Sequence, residues 1–220
     1  RIAESAKFLW LIYAGLTLIC LISYFIAGMS LFDAICHAFS TVAIGGFSTH
    51  DQSFQYFDLS SVKLVAIFFM IVSGINFALH FSVLKRKNPF LYLADAEVRA
   101  YFLILLLISL FLVGVFQYRE SDSDADHIDH LFQAVSFATT TGFVSSELYL
   151  WPPIAQVILI LAAFAGGCAG STAGGIKIIR VLTFWRQGAR EIKRLVHPNG
   201  VFHVKVGGRP VNEPVLNSIW

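Results

Sequence analysis

Charged residues are scarce in this sequence. They make up 14% of the 220 residues, whereas apolar residues make up 56%, and average soluble domains carry about a quarter charged residues. The apolar residues are also gathered into long runs rather than spread along the chain. An ordinary soluble domain is therefore excluded, and an integral membrane protein is predicted.

Cysteine is also rare, and the patterns of most enzymes and metal proteins are missing. Cys20, Cys36 and Cys168 lie far apart in or near apolar segments and form no CxxC pair, so neither a zinc site nor a disulfide framework is implied. No nucleophile–base pair or metal-ligand spacing falls at membrane depth. We therefore expect no enzymatic activity and no covalently bound cofactor.

Two motifs resemble ligand-binding loops but fail in detail. The acidic run 122–126 begins like a calcium loop, but His127 stands at the glycine position and Gln133 at the closing glutamate position. The glycines before Lys177 resemble a phosphate-binding loop, but Ile176 separates the last glycine from the lysine. Neither motif predicts a site.

Long apolar runs predict three membrane spans, at Phe8–Ala27, Leu64–Phe81 and Tyr101–Tyr118. About 20 apolar residues in a helix cross the ~30 Å hydrocarbon core of a bilayer. A fourth apolar segment, Pro152–Ala165, is shorter and runs into a glycine-rich stretch. We expect this fourth segment to be part of an interrupted span.

Basic residues lie mainly on one side of these spans. If the chain starts on the cytoplasmic side, the inner loops carry most of the Lys and Arg. The outer loops then carry Arg119, at most Lys63, and most of the acidic residues. This positive-inside asymmetry fixes the orientation. A nucleic-acid partner is not expected for Arg186–Arg194, because that basic stretch directly follows a membrane segment.

The sequence contains an internal repeat. Residues 33–47 align without a gap on residues 129–143, a shift of 96 residues. The identical pairs are Asp33 and Asp129, Ala38 and Ala134, Ser40 and Ser136, Gly46 and Gly142, and Phe47 and Phe143. A long span precedes each copy. The chain is therefore predicted to hold two copies of a unit built from a long helix, a short helix, a Gly-Phe loop and a second helix.

The short helix of each copy cannot cross a bilayer. Leu31–Thr41 and Ile128–Ala138 each form only ~16 Å of helix. Because the flanking spans already cross, each short helix must enter and leave from the outer face, where such backbone is buried in protein or lines a watery cavity. The alternative is an amphipathic helix on the membrane surface, but the thin polar faces carry no Lys or Arg.

The loops after the short helices have the chemistry of a cation site. The negative ends of two helix dipoles would point at a common centre, and glycine lets the backbone turn its carbonyls inward. Rings of carbonyls that replace a hydration shell form potassium filters. The predicted filter residues are Val42, Ala43, Ile44, Gly45, Gly46, Thr139, Thr140, Thr141 and Gly142, with K⁺ held by the carbonyls of Ile44, Gly45, Thr140 and Thr141. A glycine turn without an ion is the alternative.

A glycine-rich stretch interrupts the fourth apolar segment. Five glycines within Gly166–Gly175 each disfavour helix by about 1 kcal/mol relative to alanine, so a broken helix lining a cavity is predicted. The alternative is a packing face of small residues, since Gly166, Gly170 and Gly174 have four-residue spacing. Lys177 follows at membrane depth, either as an electrostatic barrier or extended toward the inner surface.

Three segments carry a resemblance to a known family. Phe39–His50, Ser136–Phe143 and Gly166–Lys177 resemble the Trk/Ktr/HKT potassium-uptake proteins, most closely the bacterial TrkH type, and the similarity runs over roughly Phe8–Arg186. The resemblance implies an all-α integral membrane fold. Repeated M1–pore helix–M2 units would surround a pseudo-fourfold cation pore with one broken helix, and this chain would hold the second and third units.

The resemblance also implies a division of the chain. Residues 1–85 would form one helix–pore-loop–helix unit, 86–98 a cytoplasmic linker, 99–186 a second unit with the glycine-broken last helix, and 187–220 a cytoplasmic connection and the start of a further unit. The family's gating loop would fall on Gly166, Gly167, Cys168, Ala169, Gly170, Ser171, Thr172, Ala173, Gly174, Gly175 and Lys177.

The function implied is transport of the substrate K⁺ across the bacterial inner (plasma) membrane by a multi-pass homodimer, regulated by a cytoplasmic nucleotide-binding ring. Two units cannot enclose a fourfold axis, so the pore must be completed by more of the polypeptide or by other chains. Two alternatives stay open. One is symport of K⁺ with H⁺ or Na⁺, with His80 on the path, and the other is a non-conducting scaffold with small-residue helix packing.

Overall fold

The structure, a computed structural model, describes residues 2–119, 127–197, 200, 205–207 and 209–210. The acidic run 122–126 and the predicted start of a further unit in residues 211–220 lie outside the described residues. The described chain is helical apart from a short antiparallel pair of strands, β1 (Lys205–Val206) and β2 (Arg209–Pro210). The predicted all-α membrane fold is therefore confirmed.

The first half of the chain starts with a membrane-spanning helix and a short helix. In order, the elements are α1 (Ile2–Ala27), α2 (Leu31–Val42), a 3₁₀ turn (Ser53–Tyr56), α3 (Ser60–Ser73) and α4 (Phe77–Arg86). Within α1, Ala6–Ala27 is long and apolar enough to cross a membrane, and few of its residues are buried in the protein. Its large exposed apolar side chains, such as Trp10 and Ile26, suit a helix that faces lipid.

The predicted span Leu64–Phe81 is not one helix in the structure. It is divided into α3 and α4, which are bent by 91° relative to each other. Gly74 ends α3, and the Asn76 side chain caps α4 by accepting the backbone N–H of Ala78 at 2.8 Å. Asn suits this position because its side-chain amide can take the place of a backbone hydrogen-bonding group at a helix start.

The second half repeats this order with a wider break. Its elements are α5 (Phe90–Ala94), α6 (Ala96–Arg119), α7 (His127–Ala138), a 3₁₀ turn (Leu148–Leu150), α8 (Pro153–Ala165) and α9 (Ile178–Val196). Ala96–Gln117 of α6 is the second helix that could cross a membrane by itself. Pro at the first position of α8 suits a helix start. The interruption predicted for the fourth apolar segment is present between α8 and α9.

The short helices lie inside their own units. Helix α2 packs against α1 and α3, α7 packs against α6 and α8, and α3 also contacts α7 and so joins the two halves. An aromatic cluster fills this junction: the Phe54 ring lies 4.5 Å from that of Phe143 and 5.1 Å from that of Phe132. The two loops that follow α2 and α7 are held side by side as a result.

Candidate functional site

Each short helix starts with an aspartate that the protein surrounds with partners. Asp33 accepts hydrogen bonds from the hydroxyls of Ser30 at 2.7 Å and Thr49 at 2.6 Å. Burial acts to raise the pKa of the Asp33 carboxyl, but these hydrogen bonds and the nearby His50 and His37 outweigh it, so the pKa lies below its ordinary value. The negative charge sits at the positive end of α2, where the dipole favours it.

Asp129, the repeat partner of Asp33, is held differently. Its carboxylate accepts a hydrogen bond from the Lys63 ammonium at 2.7 Å, and both side chains are largely buried. Lys63 belongs to α3 of the first half, whereas Asp129 belongs to α7 of the second. This ion pair therefore fixes the outer end of the second short helix to the preceding unit.

The two loops after the short helices share one unusual backbone conformation. Ile44 and Thr140 have φ values of 54° and 67°, and Gly46 and Gly142 have values of 71° and 86°. These residues are the same two positions of the repeat. Left-handed φ at Ile44 and Thr140 is costly for a β-branched residue, and it occurs at repeat-equivalent positions in both copies. The conformation is therefore imposed by the fold of the loop.

Hydrogen bonds at the helix ends repeat as well. The Gly45 N–H donates to the Ser40 carbonyl and the Thr141 N–H to the Ser136 carbonyl, both at 2.8 Å. The carbonyls of Ile44, Gly45, Thr140 and Thr141 accept no hydrogen bond from any residue that the structure describes. Carbonyls that the protein leaves unpaired are available to a cation in place of its water shell.

The two loops touch directly at a glycine. A methyl group added to Gly46 would overlap the Thr141 carbonyl oxygen and lie 3.0 Å from the carbonyl carbon of the same residue. Any larger residue at Gly46 would therefore displace a predicted ligand carbonyl. The equivalent Gly142 has open space around it, with nothing within 4 Å of an added methyl group among the described residues.

The glycine-rich stretch between α8 and α9 forms a loop whose two ends lie side by side, called here the loop 166–177. Its ends meet: a methyl group on Gly175 would lie 2.7 Å from the Gly166 Cα, and the Ile178 N–H donates to the Gly167 carbonyl at 3.1 Å. Both Gly166 and Gly175 have left-handed φ values, and glycine is the residue that adopts them without strain. The stretch is therefore not a helix with a face of small residues.

The loop 166–177 lies against both filter segments. The Thr172 hydroxyl donates to the Val42 carbonyl at 2.8 Å, and the Gly174 N–H donates to the Thr140 hydroxyl at 2.7 Å. The structure thus brings together the three segments that the sequence analysis singled out.

The sequence and the fold of this chain are similar to those of known proteins. The family profile for TrkH, described as a cation transport protein, matches residues 1–220. The chain belongs to the TrkH family. It is 46% identical to the Trk system potassium uptake protein TrkH of Salmonella typhimurium over all of this chain and 46% of that protein. It is also 40% identical to TrkG of Escherichia coli K12, again over all of this chain and 46% of the relative.

A solved structure agrees with this family assignment. The crystal structure of the potassium transporter TrkH from Vibrio parahaemolyticus matches with a TM-score of 0.94 and 45% identity, over 100% of this chain and 48% of that one. This chain therefore spans about half the length of the TrkH-family relatives it matches. The predicted multi-pass location in the bacterial inner membrane is confirmed, and the family comprises cation transporters rather than enzymes.

Two features of this TrkH-family chain contact the predicted site but were not predicted. One is the bend between α3 and α4: the Cys168 N–H donates to the Gly74 carbonyl at 2.9 Å, and the Phe77 N–H donates to the Gly170 carbonyl at 3.0 Å. The other is Glu97, which accepts backbone N–H groups from the loop. The sequence did contain signals for both features. Gly74 and Asn76 inside an apolar run could have indicated the bend, and a carboxylate at the start of a span, Glu97, could have indicated a functional contact.

Lys177 occupies the junction of the loop and α9. It is the residue before the first turn of α9 and has a φ of 75°. Its ammonium donates to the Ala173 carbonyl, so the side chain folds back onto the loop. The structure therefore differs from the alternative in which Lys177 extends along the helix toward the inner surface. Arg180, one turn later, is exposed.

Proposed function

We propose that this chain supplies two of the four units of a K⁺-conducting pore, and that backbone carbonyls of both filter segments replace water around the ion. The observation that carries the proposal is the pairing of left-handed φ at repeat-equivalent positions with unpaired carbonyls at Ile44, Gly45, Thr140 and Thr141. The negative ends of α2 and α7 lead directly into these carbonyls, where a cation is stabilised. The relatives' description as potassium uptake proteins supports K⁺ as the substrate.

The contacts between the two copies support a ring. Gly46 of the first copy abuts the loop of the second, and Phe143 of the second inserts among aromatic rings of the first. The same surfaces are uncovered at the other ends, since Gly142 has open space and Phe47 is 82% exposed. Head-to-tail contacts of this kind form a ring when the rotation from one unit to the next closes. A preceding unit would cover Phe47 and a following unit would cover Gly142.

The loop 166–177 would act as the gate of this pore. It is bonded to both filter segments through Thr172 and Gly174. Because its two ends lie together at Gly166 and Gly175, the loop between them would move as one body. Lys177 would add a positive charge at the same level. Such a charge opposes cation passage while the loop stays in this position.

The two alternatives have less support. For ion-coupled symport, His80 would have to carry protons, yet its two ring nitrogens already bond the Tyr92 hydroxyl at 2.7 Å and the Val72 carbonyl at 3.0 Å. For a non-conducting scaffold, the glycines would have to line a helix face. Gly166 and Gly175 instead form the crossing of an irregular loop.

Assembly and regulation belong to the same proposal. Homodimer formation and docking of a cytoplasmic nucleotide-binding regulatory ring would use the inner basic segments. On the described residues these include Lys85 and Arg86 in the last turn of α4, and Lys193 and Arg194 in the last turn of α9. A regulator that displaced α9 would act directly on the loop 166–177, because α9 begins where that loop ends.

Selectivity measurements test the filter assignment. In the complete transporter that contains this chain, Gly46→Ala and Gly142→Ala should each lower the K⁺ over Na⁺ preference by about tenfold, or ~1.4 kcal/mol. A methyl group on Gly46 displaces the Thr141 carbonyl, and alanine at Gly142 is strained at its left-handed φ of 86°. The matched control is Gly15→Ala in α1, where an added methyl group meets nothing within 4 Å. The measurement is Rb⁺ and Na⁺ flux in proteoliposomes. Unchanged selectivity in variants that reach the membrane in normal amounts would remove the filter assignment.

A further inference from the structure

Glu97 is a buried carboxylate that spans the break between α8 and α9. It lies in the first turn of α6 and is 8% exposed. One oxygen, Oε1, accepts the Ala169 N–H at 2.6 Å and the Ile179 N–H at 3.1 Å. Ala169 belongs to the loop 166–177, and Ile179 to the first turn of α9. A single atom therefore holds both the loop and the helix that follows it.

Burial and the neighbouring Asp95 act against the charged form of this carboxylate, whereas the two backbone N–H groups that it accepts and the nearby Lys177 favour it. Glu97 lies at the N-terminal end of α6, whose start is capped by the Asp95 side chain accepting the N–H groups of Glu97 and Val98. The Ile179 N–H belongs to the N-terminal end of α9. Two helix dipoles thus present their positive ends to one carboxylate, and hydrogen bonds to a charged acceptor are the stronger kind.

Other hydrogen bonds attach the loop to the bend between α3 and α4. Cys168 and Gly170 are bonded to the bend between α3 and α4, through the carbonyl of Gly74 and the N–H of Phe77. Among the residues that the structure describes, Glu97 of α6 is the one whose side chain accepts hydrogen bonds from both the loop and α9. Without it, the loop would stay attached to the first unit, and its position relative to α9 would rest on the backbone bond between Gly167 and Ile178 and on the chain connection at Lys177.

We propose that Glu97 is a positioning residue that latches the loop 166–177 against the filter, through the bonds of its one oxygen to Ala169 and Ile179. The proposal rests on the gating role assigned to that loop above. Breaking these bonds releases Ala169 from α6 and α9. The contacts of Thr172 and Gly174 with the filter, which lie further along the same loop, then weaken as well. Loss of the latch therefore favours the conducting state.

Flux through the complete transporter provides the first test. Glu97→Gln keeps the size of the side chain and removes its charge, and we expect Rb⁺ flux to rise by about tenfold, since bonds to a charged acceptor exceed those to a neutral one by roughly that factor. The matched control is Asp95→Asn, which removes a negative charge two residues away but keeps the capping oxygen. It should leave flux within about twofold of the wild type.

Cys168 provides a second readout that a general loss of structure would not reproduce. Its thiol is free, fully buried and next to Ala169. In Glu97→Gln, a small water-soluble thiol reagent should modify Cys168 several-fold faster than in the wild type, as identified by peptide mass spectrometry. Cys20, which is also fully buried but lies in α1, should stay protected in both proteins. Labelling of both cysteines would indicate unfolding and overturn the latch.

A third variant separates failure of the latch from failure of the gate. Deletion of residues within 170–175 should raise flux if the loop obstructs the pore, whatever the role of Glu97. Raised flux in the deletion together with wild-type flux and Cys168 labelling in Glu97→Gln would overturn the latch and leave the gate intact. Unchanged flux in the deletion would overturn both. If Glu97→Gln does not accumulate in the membrane, Glu97→Asp keeps the charge, shortens the reach and carries the same expectations.

Discussion

The two predicted filter segments have the same backbone conformation but different surroundings. Both have left-handed φ at the same two positions and the same hydrogen bonds to the end of the short helix. Around them, Gly46 is in contact and Gly142 is open, whereas Phe143 is fully buried and Phe47 is 82% exposed. The backbone is therefore set within each unit, and the surroundings depend on which neighbouring unit is present.

A second difference belongs to the sequence itself. His37 of α2 bonds the Asp33 carbonyl and the Ser48 hydroxyl at 2.8 and 2.9 Å. Gln133, at the same position of α7, is fully buried, and its amide has no hydrogen-bond partner among the described residues. The repeat places Val144 where the first copy has Ser48, so the hydroxyl partner is lost. The two units have thus diverged in side chains while keeping the loop conformation.

The phenylalanine pair gives the largest expected effect on stability. If a preceding unit covers Phe47 as the first unit covers Phe143, then Phe47→Ala and Phe143→Ala should each destabilise the complete transporter by about 3–5 kcal/mol. Thermal unfolding in detergent compares them, with Phe25→Ala on the exposed side of α1 as the baseline. A Phe47→Ala variant as stable as this baseline would contradict the head-to-tail ring.

The aspartate pair gives a smaller effect that should differ between the units. Lys63→Met leaves Asp129 largely buried and without its ion pair, which should cost about 2–3 kcal/mol. Adding Asp129→Asn should restore most of this loss, because no uncompensated charge then remains. Asp33→Asn should cost less than about 1 kcal/mol, since the amide oxygen still accepts from one of the two hydroxyls and the amide N–H can donate to the other. Equal costs for Lys63→Met and Asp33→Asn would show that the inter-unit ion pair adds no stability of its own.

Local features of the sequence predicted much of the fold and of the site. The repeat, the two short helices and the break after Ala165 follow from apolar length, acidic helix starts and glycine content, and each lies within a residue or two of its predicted position. These signals are local, because helix length and glycine strain depend on nearby residues. The loops that follow were located by the same reasoning.

Two features that the sequence did not predict, the bend at Gly74 and the role of Glu97, depend on contacts between residues far apart in the chain. The bend at Gly74 is stabilised by Cys168 and Gly170, which lie far away in the chain, so the apolar run Leu64–Phe81 reads as one continuous span. Glu97 could not be assigned to the loop because its partners are backbone N–H groups of the second half's last helix and its break. Backbone donors have no sequence signature.

The central claim is that four backbone carbonyls on two repeated loops bind the transported ion. Its most direct test is the anomalous scattering of Rb⁺ in crystals of the complete transporter grown with Rb⁺ in place of K⁺. The account predicts a peak within contact distance of the carbonyl oxygens of Ile44, Gly45, Thr140 and Thr141. A well-ordered filter region without such a peak, or a peak bound by side chains elsewhere in the protein, would contradict it.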